Sequence, residues 1–232
     1  MRKKAGEFGK RSGCFAWRKS YGGVVQVKKL LLTGFVPFQD HPVNPTEPIV
    51  KHLDGKRIGG LQIFGRVLPV DFSESADVCL GHLEEIEPDI VLSLGLAAGR
   101  TKITPERVAI NCKDGGPDNR GVFVRDEPIV PDGPAAYFST LPIRRMVDRL
   151  NEKGYPAQIS NTAGTYLCNH IMYSVLHKIK SENRPVLGGF VHLPASHELA
   201  VRQPALPSWS QADLERAVVL MIEVLAEQET AS

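Results

Sequence analysis

Two kinds of apolar spacing take turns along the chain. Nearly continuous apolar runs occur at 27–35 (VKKLLLTGF), 89–97 (DIVLSLGLA) and 185–194 (PVLGGFVHLP). Such runs predict strands buried on both faces, as in a parallel sheet. Further strands are expected at 61–70, 107–112 and 157–161. Between them the spacing changes to three and four. The segment 73–86 (SESADVCLGHLEEI) opens with a Ser cap and puts Ala76, Cys79, Leu83 and Ile86 on one helical face. The segment 143–154 groups Ile143, Met146, Val147 and Leu150 and stops at Gly154. Helices are also expected at 167–182 and 210–228, the latter turning Leu214, Ala217, Met221 and Leu225 inward, and a short one within 44–53. Residues 113–135 are rich in Gly, Pro and Asp and predict a long excursion or hairpin.

Alternating strands and helices without an internal repeat predict one α/β domain, an α/β/α sandwich on a mostly parallel, twisted central sheet. The expected domain spans 27–232. Residues 1–26 are basic and carry no core periodicity or apolar signal region. They are expected to be an extension outside the fold, disordered, a cloning remnant or a misplaced start, with a basic docking arm as the functional alternative.

Composition narrows the function classes. The formal net charge is +2, so nothing in the balance calls for nucleic acid or an anionic membrane. No apolar run approaches the roughly 20 residues of a membrane-spanning helix. The cysteines Cys14, Cys79, Cys112 and Cys168 have neither zinc-site nor disulfide-scaffold spacing. The expectation is a reducing, cytoplasmic setting with no metal and no organic cofactor.

Sites in parallel α/β sheets collect beyond the carboxyl ends of strands. That rule draws attention to the loops 34–45, 95–106, 161–168 and 192–198. Cys168 stands where the turn NTAGTY meets a helix. Periodicity alone makes it the first core residue of a stripe continued by Ile171, Met172, Val175 and Ile179. Against that, a helix start offers free backbone N–H groups and favours a thiolate. His192 ends an apolar strand just before Pro194 and is the candidate base; a satisfied core-edge histidine is the plain alternative. Glu106 follows the strand 89–97 and its loop. It is a candidate to orient that base, or else a carboxylate paired with Arg107 or Arg100. Asp71, Glu74 and Asp40 remain rivals for the role.

Three segments give these residues a family. LLTGFVPF with NP (31–45), GLAAGRTKITPERVAIN (95–111) and ISNTAGTYLCN (159–169), followed by FVHLP (190–194), resemble the pyroglutamyl peptidase I family of cysteine peptidases, in the family's order. The resemblance runs from about residue 28 to the C-terminus. It implies Cys168 as nucleophile, His192 as general base and acid, and Glu106 as the group orienting His192. It also implies Phe35, Phe38 and Asn44 at the substrate pocket. The implied activity is removal of an N-terminal pyroglutamyl residue from peptides through a thioester, by a self-associating, often tetrameric, enzyme without cofactor. Leu96 departs from the family, many members of which read GQAGG where this chain reads GLAAG. A nucleoside-phosphorylase-like enzyme with Cys168 in its core, and a non-catalytic pyroglutamate-binding relative, are the alternative expectations.

Overall fold

A computed structural model describes residues 27–230. The basic segment 1–26 lies outside the described residues, and with it Cys14. Along the chain run β1 (Lys29–Phe35), α1 (Thr46–Leu53), β2 (Arg57–Ile58), β3 (Leu61–Leu68), α2 (Ser75–Ile86) and β4 (Ile90–Leu96). There follow four short strands beside one another in sequence: β5 (Thr104–Pro105), β6 (Val108–Ile110), β7 (Lys113–Gly115) and β8 (Val124–Glu127). Then come β9 (Ala136–Phe138), α3 (Ile143–Glu152), α4 (Leu167–Ser181), β10 (Leu187–Leu193) and β11 (Ala195–Ser196). The chain closes with α5 (His197–Arg202), β12 (Ser208–Trp209) and α6 (Gln211–Thr230).

Six strands make the central sheet in the order β2-β3-β1-β4-β10-β5. The four inner strands are parallel, and the two-residue strands at the edges are antiparallel. The expected α/β architecture is therefore present. Both faces of the inner strands are apolar because both are covered. Leu30, Leu32, Leu92, Leu94, Val191 and Leu193 pack with residues of α1, α3 and α6. Leu31, Val91 and Phe190 pack with residues of α2 and α4 on the other face. Alternation along β10 thus directs His192, two residues from Phe190, to the α4 side.

Local chemistry explains where several elements begin and end. Ser210 Oγ accepts from Asp213 N at 3.0 Å and donates to the Asp213 carboxylate at 2.6 Å, capping α6. The expected Ser73 cap of α2 is not formed. Instead Asp71 Oδ1 accepts from Ser73 N and Glu74 N, and the helix starts at Ser75. α3 ends just before Gly154, which takes φ +83°. Residues 113–135 contain the β7–β8 hairpin, while β9 folds back onto β6. The segment 157–161, expected as a strand, joins its neighbours only through bridges at Ala157 and Ser160. Among the described residues, no helix is long and apolar enough to cross a membrane.

Candidate active site

β10 ends at the carboxyl edge of the sheet with His192 buried at 5% exposure. Its Nδ1 lies 2.7 Å from Glu106 Oε1. With a carboxylate accepting, the ring proton sits on Nδ1 and Nε2 keeps its lone pair. Glu106 reaches this place because β5 pairs antiparallel with β10, Thr104 opposite His192, and Glu106 N donates to Phe190 O at 2.9 Å. Its side chain is fully buried. Burial alone would raise its carboxyl; the hydrogen bond and charge of His192, with help from Ser160 and Arg100, hold it below the ordinary value. Burial pulls the His192 imidazole below the usual histidine value against the upward influence of Glu106, and Arg100 adds to the lowering.

Cys168 is the second residue of α4, above the same sheet edge. Gly95 on β4 is the register partner of His192. A Cβ built on Gly95 would sit 2.8 Å from Cys168 Sγ and 2.7 Å from the Phe190 ring. Only a glycine lets the sulfur descend onto the sheet at the point where His192 stands one strand away. The neighbouring strand is about 4.8 Å distant.

A cavity opens beside the sulfur. It leaves about 240 Å³ unfilled, mouth included, between Phe35, Phe38, Asn44, Val70, Leu96, Tyr166 and Cys168. Phe35 and Phe38 stand in its wall. Asn44 lines it too, but its amide is committed to the scaffold. Oδ1 accepts from Thr46 N and Thr46 Oγ1, and Nδ2 donates to Val36 O at 3.2 Å. Thr46 Oγ1 in turn accepts from Phe35 N at 3.0 Å. Asn44 therefore fixes the loop carrying both phenylalanines and starts α1. Leu96 makes its side of the wall apolar.

Two expectations about Cys168 are corrected. It is not a sealed core residue; it is half-buried and borders the cavity. Nor does the lowering influence of the helix start prevail at its thiol. Burial pushes the thiol up to about 12, the charge of Glu106 adds to the rise, and Arg100 and the Cys168 N–H offset only part of it. The rival carboxylates go elsewhere. Asp71 organises the α2 turn and pairs with Arg120, which also holds Glu74. Asp40 contributes its backbone carbonyl to Gln203. Arg107 donates to Asn161 rather than to Glu106, leaving Arg100 as the pairing cation.

Sequence reasoning missed Asn169. It is fully buried, accepts from Ile110 N, and donates to Ile110 O and Cys112 O, each at 2.9 Å. It ties the end of β6 and the residues just after it to the first turn of α4, and no spacing in the sequence singles it out. It also missed Tyr166, whose hydroxyl donates to Pro117 O at 3.0 Å while its ring lines the cavity. Among the described residues, no group of three or more His, Cys, Asp or Glu side chains is placed to hold a metal ion.

A thiol at a helix start above an imidazole and a carboxylate at adjoining strand ends of a parallel α/β sheet, with a small apolar cavity beside the sulfur, defines an enzyme of the cysteine-hydrolase class. Comparison with known proteins makes that class specific. The sequence profile of the pyroglutamyl peptidase family matches residues 28–228, and the chain belongs to this family. The pyrrolidone-carboxylate peptidase of Halalkalibacterium halodurans is 56% identical over 197 residues, which is 84% of this chain and 98% of that protein. The corresponding peptidase of Pyrococcus furiosus is 47% identical over 205 residues, covering 86% and 99%. A crystal structure of a mutant pyrrolidone carboxyl peptidase from P. furiosus superimposes with a TM-score of 0.84 at 47% identity, over 86% of this chain and 99% of that one.

Proposed function

We propose that this chain hydrolyses the bond after an N-terminal pyroglutamyl residue, with Cys168 as nucleophile, His192 as proton carrier and Glu106 as its orienting carboxylate. The observation that carries this reading is the buried 2.7 Å His192–Glu106 contact on the strand partnered by Gly95, over which the Cys168 sulfur rests. His192 Nε2 takes the thiol proton as sulfur attacks the pyroglutamyl carbonyl. Glu106 then faces an imidazolium, which its negative charge stabilises. The first turn of α4 has no side-chain cap, so its N–H groups near Cys168 suit the oxyanion. His192 returns the proton to the leaving amine, and water admitted next hydrolyses the thioester. A lactam ring carries no ammonium, and an apolar cavity between Phe35 and Phe38 suits its flat, uncharged body.

Three further proposals accompany this reading. Residues 27–232 act as one domain, which the two core clusters on a shared sheet support. The enzyme works in the cytoplasm, consistent with free thiols at Cys79, Cys112 and Cys168. It self-associates, up to a tetramer. The exposed Ile110 and Phe138 on one face of the β6–β9 ribbon offer an apolar surface for that purpose.

The test is hydrolysis of pyroglutamyl-aminocoumarin by Cys168→Ala and His192→Ala. Loss of at least about a thousandfold in kcat is expected for each. Turnover near that of the unaltered protein in the Cys168→Ala variant ends the proposal.

A further inference from the structure

Arg100 stands outside the three residues assigned chemistry, yet its guanidinium touches the surroundings of all of them. It follows β4 in a tight turn, with Arg100 N donating to Ala97 O at 2.9 Å. Nη1 donates to Glu106 Oε1 at 2.6 Å, the same oxygen that His192 Nδ1 reaches at 2.7 Å. Nη1 also donates to Thr104 Oγ1, on the residue paired with His192 across β5 and β10. Nη2 donates to Thr162 O at 3.2 Å, in the turn that leads into Cys168.

The carboxylate needs such a clamp. Glu106 is fully buried, and its second oxygen, Oε2, has no hydrogen-bond partner. Without Arg100, the carboxylate would be held by the imidazole at Oε1, with only the lesser influence of Ser160 besides. Two donors converging on Oε1, one from β10 and one from the turn after β4, fix the carboxylate's terminal torsion. The cation also compensates a buried negative charge that would otherwise be costly whenever His192 is neutral.

We propose that Arg100 is a positioning residue, clamping Glu106 against His192 and binding the carboxylate to the turn before Cys168, so that the imidazole stays aimed to accept the thiol proton. The charged or titratable groups facing His192 are Glu106 after β5, Arg100 after β4 and Cys168 on α4. Glu106 favours the imidazolium and Arg100 disfavours it, both by charge and by sharing the oxygen that His192 uses. Without the guanidinium, Glu106 belongs to His192 alone, and the imidazole gains a proton at higher pH. The inference rests on the assignment of His192 as base.

The experiment is the pH profile of kcat/KM on pyroglutamyl-aminocoumarin for the unaltered protein, Arg100→Met, Arg100→Gln and Arg100→Lys. The acid limb reports the free enzyme's base. Removing one nearby cation moves such a group by about one pH unit. The acid limb of Arg100→Met is expected to move up by that amount, leaving on the order of tenfold less activity at a pH on the limb. Arg100→Gln keeps donors but drops the charge, so it should show the same movement even if Arg100→Met fails to fold. Arg100→Lys should keep the limb near its original pH. An acid limb that stays put in both uncharged variants overturns the proposal, even if the plateau rate falls, since a merely structural residue would lower the plateau alone. His192→Ala, assayed alongside, separates the two claims: full activity in that variant refutes the base assignment itself, whatever Arg100 does.

Discussion

His170 makes the acid stability of this fold testable. It is the fourth residue of α4, two past Cys168, and 6% exposed. Its ring stacks on Phe72 with centroids 6.3 Å apart, and Nδ1 has no hydrogen-bond partner. Burial, with a smaller push from Lys113 and a slight opposing pull from Asp77, depresses its pKa from the ordinary 6.5 to about 4. A base whose folded pKa lies below its unfolded one binds its proton preferentially in the unfolded chain. Its cost to stability is therefore absent above about pH 6.5, grows as pH falls, and is complete below about pH 4. The gap corresponds to about 3 kcal/mol, a large share of an ordinary domain's stability. Urea unfolding of the unaltered protein and of His170→Gln, at intervals from pH 7.5 to pH 4, checks this. Buried carboxylates such as Glu106 titrate in both proteins, so the difference between the two curves isolates His170. That difference should swing by about 3 kcal/mol in favour of the variant as pH falls. Parallel curves would refute the reasoning, and would mean that the buried ring finds a partner for its proton.

Two substitutions probe the supports of Cys168. Gly95→Ala places a methyl within 3 Å of both the Phe190 ring and Cys168 Sγ. Overpacking of this kind costs about 1–3 kcal/mol. A thermal midpoint lower by several degrees, together with reduced kcat, is expected by differential scanning fluorimetry and the aminocoumarin assay; unchanged turnover would mean the sulfur does not rest where Gly95 puts it. Asn169→Ala strands the backbone polar groups of Ile110 and Cys112 in the interior. Denaturant unfolding should show a loss of about 3 kcal/mol, and a loss under about 0.5 kcal/mol would show that water replaces the amide easily.

What could be read from residues alone follows from how each element is buried. β1, β4 and β10 are covered on both faces, so their sequences are almost uninterrupted apolar runs and announce themselves. α6 is equally plain, since Ser210 caps it and Leu214, Ala217, Met221 and Leu225 are all fully buried. The edges were silent. β5 is two residues long, and one of them is Pro105, which offers no N–H to a ladder and is tolerated only at a sheet margin. Yet this strand is what carries Glu106 to His192. The carboxylate's partner was therefore readable only through family resemblance, with Asp71, Glu74 and Asp40 still open on chemistry alone. The segment 157–161 misled because its composition suits a strand, while its pairing depends on that same short, proline-bearing neighbour. Asn44 shows the converse. Its place at the cavity was implied by resemblance, but its amide is spent on Thr46 and Val36, a commitment that no spacing rule reveals.

The thiol poses the sharper question of how a site can use a sulfur that its surroundings keep protonated. A helix start stabilises a thiolate by about 1 kcal/mol at most at ordinary sites, less than one pH unit. Burial among Phe35, Leu96 and Leu167 outweighs this and takes Cys168 from 9.0 to about 12. The charge of Glu106, so useful to His192, works against a second negative charge nearby. The imidazole is biased the other way, toward losing its proton. The surroundings of each group thus favour its neutral form, burial being the first cause in both. Under the proposed roles, the proton crosses from sulfur to Nε2 as the attack proceeds, Glu106 then stabilises the imidazolium, and the new negative charge passes from sulfur to the substrate's oxygen. On that proposal, the same apolar walls that raise the thiol would receive the uncharged lactam ring and keep water from the carbonyl under attack. On the proposed reading, the apolar surroundings that raise the Cys168 thiol come with a cavity suited to that ring, and transfer through His192 makes the half-buried sulfur usable.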